Sequence, residues 1–305
     1  MTAPLQRSEA PGDAGVPLAD APTPVGVLRR RAGTGHTASL YVGGAIAAVL
    51  VATALLSLFV HLGDPNATDL LGRLHSPDGA HLAGTDELGR DILARLVRGV
   101  RWSLGIGTIA TAIAVTIGAT LGTIGAWRPG VVRTLMVRST DIGISFPFLV
   151  IAVVIVAVVG HGFWPLTLTL GVVAWPTMAR VIYAQARGLC EREYVLAARL
   201  AGVGGLRSLL THVLPPLVPH LQVMAAFTFA DLLVAESGLS FLGLGAPLGE
   251  ATWGNMLSAS RAYLIQAPWM MLGPATAIVL AVLAANLVGD GLTARDHAKR
   301  SRSAA

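Results

Sequence analysis

The chain has 305 residues, 53% hydrophobic and only 13% charged, with a mean hydropathy of +0.65. Soluble chains carry charge on about a quarter of their residues, so the excess apolar surface here must face something other than water. The net charge of +5 rests on 21 Arg and a single lysine, Lys299, which has no glycine-rich loop before it and Arg300 after it, and this excludes a P-loop for ATP within the chain.

The one cysteine, Cys190, excludes an intrachain disulfide and a multi-cysteine metal cluster. A pI near 10.1 would suit a nucleic-acid partner in a soluble protein. In so apolar a chain it reads as arginine in loops beside a membrane, with the lipid bilayer as partner and no nucleic acid.

Residues 1–39 carry five prolines and no apolar run, and they read as a disordered cytoplasmic tail because they lack the surface to offset chain entropy. The first apolar stretch starts only at Leu40 and lasts 23 residues, which does not fit a signal peptide. Leu40–Leu62 is about 34 Å long at ~1.5 Å per residue, enough to cross a bilayer. Further spans are expected at Trp102–Trp127, Ile142–Val159, Phe163–Tyr183, Val213–Phe229 and Trp269–Val288, making six. Trp102, Trp127, Trp164 and Trp269 fall at predicted ends, the headgroup level that indoles prefer. Pro165 and Pro176 in the fourth span, and Pro215, Pro216 and Pro219 in the fifth, predict kinked or broken helices.

With the N-terminus taken as cytoplasmic, 16 Arg and Lys fall on the cytoplasmic side and 6 on the outer side, which favours both termini inside. Four of the outer six are Arg90, Arg95, Arg98 and Arg101, interleaved with Ile92, Leu93, Leu96 and Val97. That spacing predicts a short amphipathic helix on the outer surface, leading into the second span.

Three segments stand out. Glu191 to Ala201, after the fourth span, is a predicted helix with acids at its start, as the helix dipole favours, and Gly202 ends it. Ala197 and Ala198 give it a face without bulk. Composition alone reads it as an ordinary solvated helix. In the outer loop, Gly84-Thr85-Asp86-Glu87-Leu88-Gly89-Arg90-Asp91 reads as a turn followed by a helix start capped by Asp91. Glycines 238, 243 and 245 in Glu236-Ser237-Gly238-Leu239-Ser240-Phe241-Leu242-Gly243-Leu244-Gly245 predict a loop packed closely against helices, followed by Trp253-Gly254-Asn255-Met256-Leu257.

The order Glu193-x3-Ala197-Ala198-x3-Gly202, then His212-Val213-Leu214-Pro215, resembles the EAA loop of permease subunits in binding-protein-dependent ABC importers. The Glu-Tyr-Val-x-Ala-Ala-Arg form and the two outer segments are similar to the peptide and nickel branch. Asn286 to Leu292 matches its ending more weakly, with Thr293-Ala294 intervening before Arg295-Asp296. Pro216 stands where the branch commonly has Asn, and its Pro-rich stretch is reduced to Ala246-Pro247-Leu248-Gly249-Glu250.

The resemblance covers about two-thirds of the chain, Gly84 to Leu292. It implies an all-α, type I importer permease fold with six transmembrane helices in a bacterial inner membrane. It implies no catalytic residue and no cofactor in this chain. Two ABC ATPase subunits would bind ATP and Mg, a homologous permease would complete a heterodimer, and a substrate-binding protein would dock outside. Residues implied to couple to the ATPase are Glu191, Glu193, Tyr194, Ala197, Ala198, Arg199 and Gly202.

The expected organisation is therefore 1–39 tail, 40–62 first span, and 63–101 outer loop with its amphipathic helix. A core of five spans at 102–292 follows, with a coupling helix at 191–202, then a second cytoplasmic tail at 293–305.

Charged groups in a membrane usually face a bundle interior or an aqueous path. Asp231 and Glu236, late in the fifth span, are candidates to line the outer part of a translocation path with Ser240 and Phe241. Asp231 also reads as an interfacial residue reaching water. His161, His212 and His220 are isolated and offer no metal site. Peptide cargo is the first expectation, with nickel, glutathione or haem as alternatives in the same fold. A different class, an ion-coupled secondary transporter using Asp231, Glu236 and Arg180 as a relay, stays open; an intramembrane enzyme lacks a nucleophile or metal constellation.

Overall fold

Residues 35–59, 64–247 and 249–303 are described by the structure, a computed structural model. They form α1 (Gly35–Leu56), α2 (Ile92–Trp127), α3 (Val131–Ser145), α4 (Phe148–Val159), α5 (Phe163–Cys190) and α6 (Glu193–Leu200). After these come α7 (Gly205–Ser208), α8 (Leu214–Phe241), α9 (Trp253–Ser260) and α10 (Trp269–Ser303). No strand occurs among the described residues beyond one bridge between Thr85 and Asp91. The tail expected over 1–39 lies outside the described residues as far as residue 34, and so do residues 60–62 of the first expected span.

Five helical stretches are long and apolar enough to cross a membrane: Ala38–Leu56, Ile92–Trp127, Phe163–Cys190, Gly205–Phe241 and Trp269–Asp296. The third expected span, Ile142–Val159, is not one helix. α3 and α4 meet at an 86° bend. The cause is Pro147, which restricts the residue before it to extended backbone, and Phe146 sits at φ −104°, ψ 143°. The prolines singled out in the fourth and fifth spans do not break them. Pro176 lies inside α5, and Pro215 and Pro216 occupy the first turn of α8, where an amide N–H would lack a helical partner anyway. A π-type turn, Leu209–Val213, joins α7 to α8.

Two further boundaries shift. The arginines at 95, 98 and 101 do not belong to a separate surface helix, because α2 runs unbroken from Ile92 and buries Arg95. Trp102 thus lies ten residues into a helix, edge-on to Phe163 at 5.4 Å between ring centroids. At the other end, α10 carries helix through Ser303, over most of the tail expected at 293–305.

The principal helix contact is between α2 and α5. Lipid tails are as apolar as leucine, so helices in a membrane associate through close packing of small residues. Gly118 and Gly122 supply it: a Cβ at Gly122 would stand 2.6 Å from the Ala179 carbonyl oxygen, and one at Gly118 would stand 2.5 Å from Met178 Cγ. Two of the cores between the helices concern the site. One gathers Ile106, Leu166, Leu170, Leu232 and Leu239; the other gathers Met178, Ile182, Val195, Val213 and Leu217, reaching into the loop that carries α6. An ion pair between Arg180 of α5 and Asp141 of α3 fastens the bent pair to the bundle.

Candidate functional site

The connection between α5 and α8 presents a short helix on two anchors. Arg192 adopts extended backbone, φ −70°, ψ 142°, so the chain turns there and α6 spans Glu193–Leu200 rather than 191–202. Glu191 instead caps α5 and accepts from Arg187 Nε at 3.2 Å. Glu193 opens α6 and Arg199 lies in its last turn, both complementing the helix dipole.

The helix ends in a Schellman motif. The Val203 amide donates to the Ala198 carbonyl at 3.1 Å and the Gly202 amide to the Arg199 carbonyl at 3.0 Å, with Gly202 at φ +81°. A side chain at 202 would meet open space, so it is the backbone angle that calls for glycine.

Val195 is the one buried residue of α6, fully enclosed in the second core. The Arg199 guanidinium lies 3.8 Å over the Trp127 ring at the end of α2, a cation–π contact that ties α6 to a second crossing. The rest of the helix faces outward. Tyr194, Leu196, Ala197 and Leu200 are exposed and Ala198 is half-buried; Leu200 is 90% exposed.

The other end of the bundle is built differently. Asp86 accepts from Arg90 Nε at 2.6 Å and from the Arg90 and Leu88 amides at 2.9 Å, while Arg95 Nε stands 3.6 Å away. All three side chains are buried. Arg95 also donates to the Pro65 carbonyl, and Thr85 donates to the Gly72 carbonyl at 2.6 Å. Asp91 caps α2 through the Ala94 amide, as its position in the sequence foretells. At the rim the His81 amide, 2.7 Å from Asp78 Oδ1, holds that carboxyl below its usual range.

The second outer motif is a clasp. Trp253, fully buried, donates from Nε1 to the Leu96 carbonyl at 3.3 Å, and Ser258 donates to the Phe241 carbonyl at 2.8 Å. Asn255 Nδ2 reaches the carbonyls of Ala246, Pro247 and Glu250. α9 thereby binds the end of α8, the start of α2 and the intervening loop. Sequence reasoning passed over Asn255, Trp127, Arg95 and Asp86 as functional anchors. Spacing did hint at one of them, since Asp86 and Arg90 stand four apart on either side of Gly89.

The expected path residues separate. Asp231 is exposed on α8, whereas Glu236 and Ser240 are enclosed within the chain, Ser240 donating to Glu236 at 2.9 Å and Ser237 at 3.2 Å. Five residues along a helix turn a side chain by about 140°, so Asp231 and Glu236 cannot share a face. Ser240 and Ser237 also pack α8 against Gly254 of α9, whose Cβ would lie 2.5 Å from Ser240 Cβ. Phe241 is half-buried beneath the Arg261 guanidinium, 5.1 Å from its ring centre.

Residues 114–299 match the family model of the binding-protein-dependent transport system inner membrane component, and the chain belongs to that family. It is a multi-pass protein of the bacterial inner membrane, the permease component of an ABC importer of the peptide and nickel type, working with ATPase and substrate-binding partners. Among its relatives is a provisionally named peptide transport system permease of Brucella suis, 38% identical over 266 residues, 87% of each chain. A Brucella abortus protein of the same provisional name is 38% identical over 83% of this chain and 86% of its own. The nickel transport system permease NikC of Escherichia coli is 36% identical over 83% of this chain and 90% of its own.

Proposed function

We propose that this chain moves peptides inward as one half of a permease heterodimer, driven through α6 by two ATPase subunits that hold ATP and Mg. Both termini lie in the cytoplasm, where arginine and lysine concentrate, and a substrate-binding protein delivers cargo at the opposite end, over the α9 clasp. The observation that carries the reading is the mounting of α6. Its outward face is exposed among the described residues, Leu200 at 90%, while Val195 and the Arg199–Trp127 contact hold its inner face against α2, α5 and α8. A motor gripping Glu193, Tyr194, Ala197 and Gly202 moves three crossings at once, and the permease alternates between inward-open and outward-open states.

The test uses the complex reconstituted with its own ATPases, second permease and binding protein. Gly202→Asp places a side chain at φ +81°, a strain of about 1–2 kcal/mol that distorts the end of α6. It and Glu193→Arg are expected to lower cargo-stimulated ATP hydrolysis about tenfold. Undiminished stimulation in both removes the coupling claim. Gradient-driven uptake by this chain alone, without ATP, would instead establish the ion-coupled alternative.

Nickel is the second cargo reading, favoured by the similarity to NikC. Uptake of labelled dipeptide and of nickel in a strain lacking this chain separates the two.

A further inference from the structure

A large apolar groove of about 580 Å³ opens between α1 and α2, over α8 and α10. α1 supplies Leu55 and the turn after it Leu58, α2 supplies Leu104 and Thr108, and α8 supplies Phe229. Its one charged lining residue is Arg101, and Arg98 precedes it by one turn on the same face of α2. Neither guanidinium has an ion-pair partner among the described residues. The outer connection joins α1 to α2, so Leu58 and the two arginines mark the same end of the groove.

A cation on a bilayer-facing helix is costly unless it meets an anion or water, and a groove of hydrocarbon side chains favours a hydrocarbon guest. The occupant must therefore be apolar along most of its length and anionic at one end. Length narrows it further. From Arg101 to Ile109 is about 12 Å, and from Ala47 to Leu58 about 17 Å, at ~1.5 Å per residue. That is close to half of a ~30 Å hydrocarbon core and well short of a spanning helix.

We propose that this groove is a specific site for an anionic phospholipid, one acyl chain lying along Leu104 and Thr108 and the phosphate held between Arg98 and Arg101. The lipid completes the packing of α1, which approaches α10 closely at Gly43, where a Cβ would lie 2.7 Å from Leu287 Cβ.

Native mass spectrometry of the assembled transporter, stripped of lipid in detergent and titrated with phosphatidylglycerol or phosphatidylethanolamine, tests the site. The intact complex is expected to retain phosphatidylglycerol in preference to phosphatidylethanolamine. Arg98→Gln with Arg101→Gln is expected to weaken retention about tenfold or more by removing two headgroup contacts. Thr108→Trp, which fills the groove from an exposed position, is expected to abolish it while the subunits stay assembled. Phosphatidylglycerol retention unchanged in both variants overturns the proposal. So does a disulfide cross-link from Leu58→Cys or Thr108→Cys to the partner permease, which would place protein in the groove.

Discussion

The two ends of this bundle hold their loops by opposite means. At one end, residues 64–91 and α9 are tied within the chain by buried charges and by side chains that reach distant carbonyls. At the other end, α6 hangs from one enclosed valine and one cation–π contact, and shows tyrosine and leucine to its surroundings. Buried polar groups mark a region that is self-sufficient, because unpaired they would be too costly to enclose. Exposed leucines on a short helix are what the proposed ATPase contact would cover.

The contrast can be broken most forcefully at Asp86. Asp86→Ala leaves Arg90 and Arg95 enclosed with one less countercharge, a loss of about 3 kcal/mol or more. The expected result is poor yield and a lower thermal midpoint for the purified complex; a midpoint unchanged within error would show that the outer end is not held by its buried charges. Val195→Ala is next. Opening a cavity at a fully enclosed residue costs about 2 kcal/mol, and because the rest of α6 has so little to hold it, hydrogen exchange should rise across residues 193–200 while the outer loop stays protected. Uniform protection would refute the weak mounting. The smallest effect on the chain itself is expected from Leu200→Ser. At 90% exposure its removal should change stability by under about 0.5 kcal/mol, yet it should weaken binding of the ATPase subunit measured by co-purification. An unaltered ATPase affinity would show that this part of the face is solvated.

Much of the architecture was legible before any coordinates. Five of the six expected spans fall within helices long and apolar enough to cross a bilayer, and the Asp91 cap and the Gly202 stop follow from residue chemistry at helix ends. The bend in the third crossing was equally readable and was passed over. Pro147 sits mid-run just as Pro176 does, but Pro147 interrupts the helix while Pro176 rests against Gly143 of α3. Which proline breaks a helix depends on what packs beside it, and one-dimensional reading does not carry that. That Asp231 and Glu236 point to different sides of α8 was not read from the sequence, for a simpler reason. Both were read as late in one span, without turning the helix wheel through five residues. The arginines at 90 and 95 looked like a surface stripe because alternation with apolar residues also describes a helix whose charges are enclosed by partners from a loop 30 residues earlier, as Pro65 and Asn66 do for Arg95.

The corner at Phe146-Pro147 has a consequence for how this polypeptide lives in a bilayer. Its two arms measure about 22 Å and 18 Å, and neither by itself crosses ~30 Å of hydrocarbon. The carbonyls left open at the elbow demand a donor, which acyl chains never provide. The elbow must consequently face moisture or a neighbouring subunit, and a solitary copy adrift in lipid would carry a wet seam along one flank. The second permease proposed above would cover that seam and so would meet a need of solvation as well as of transport.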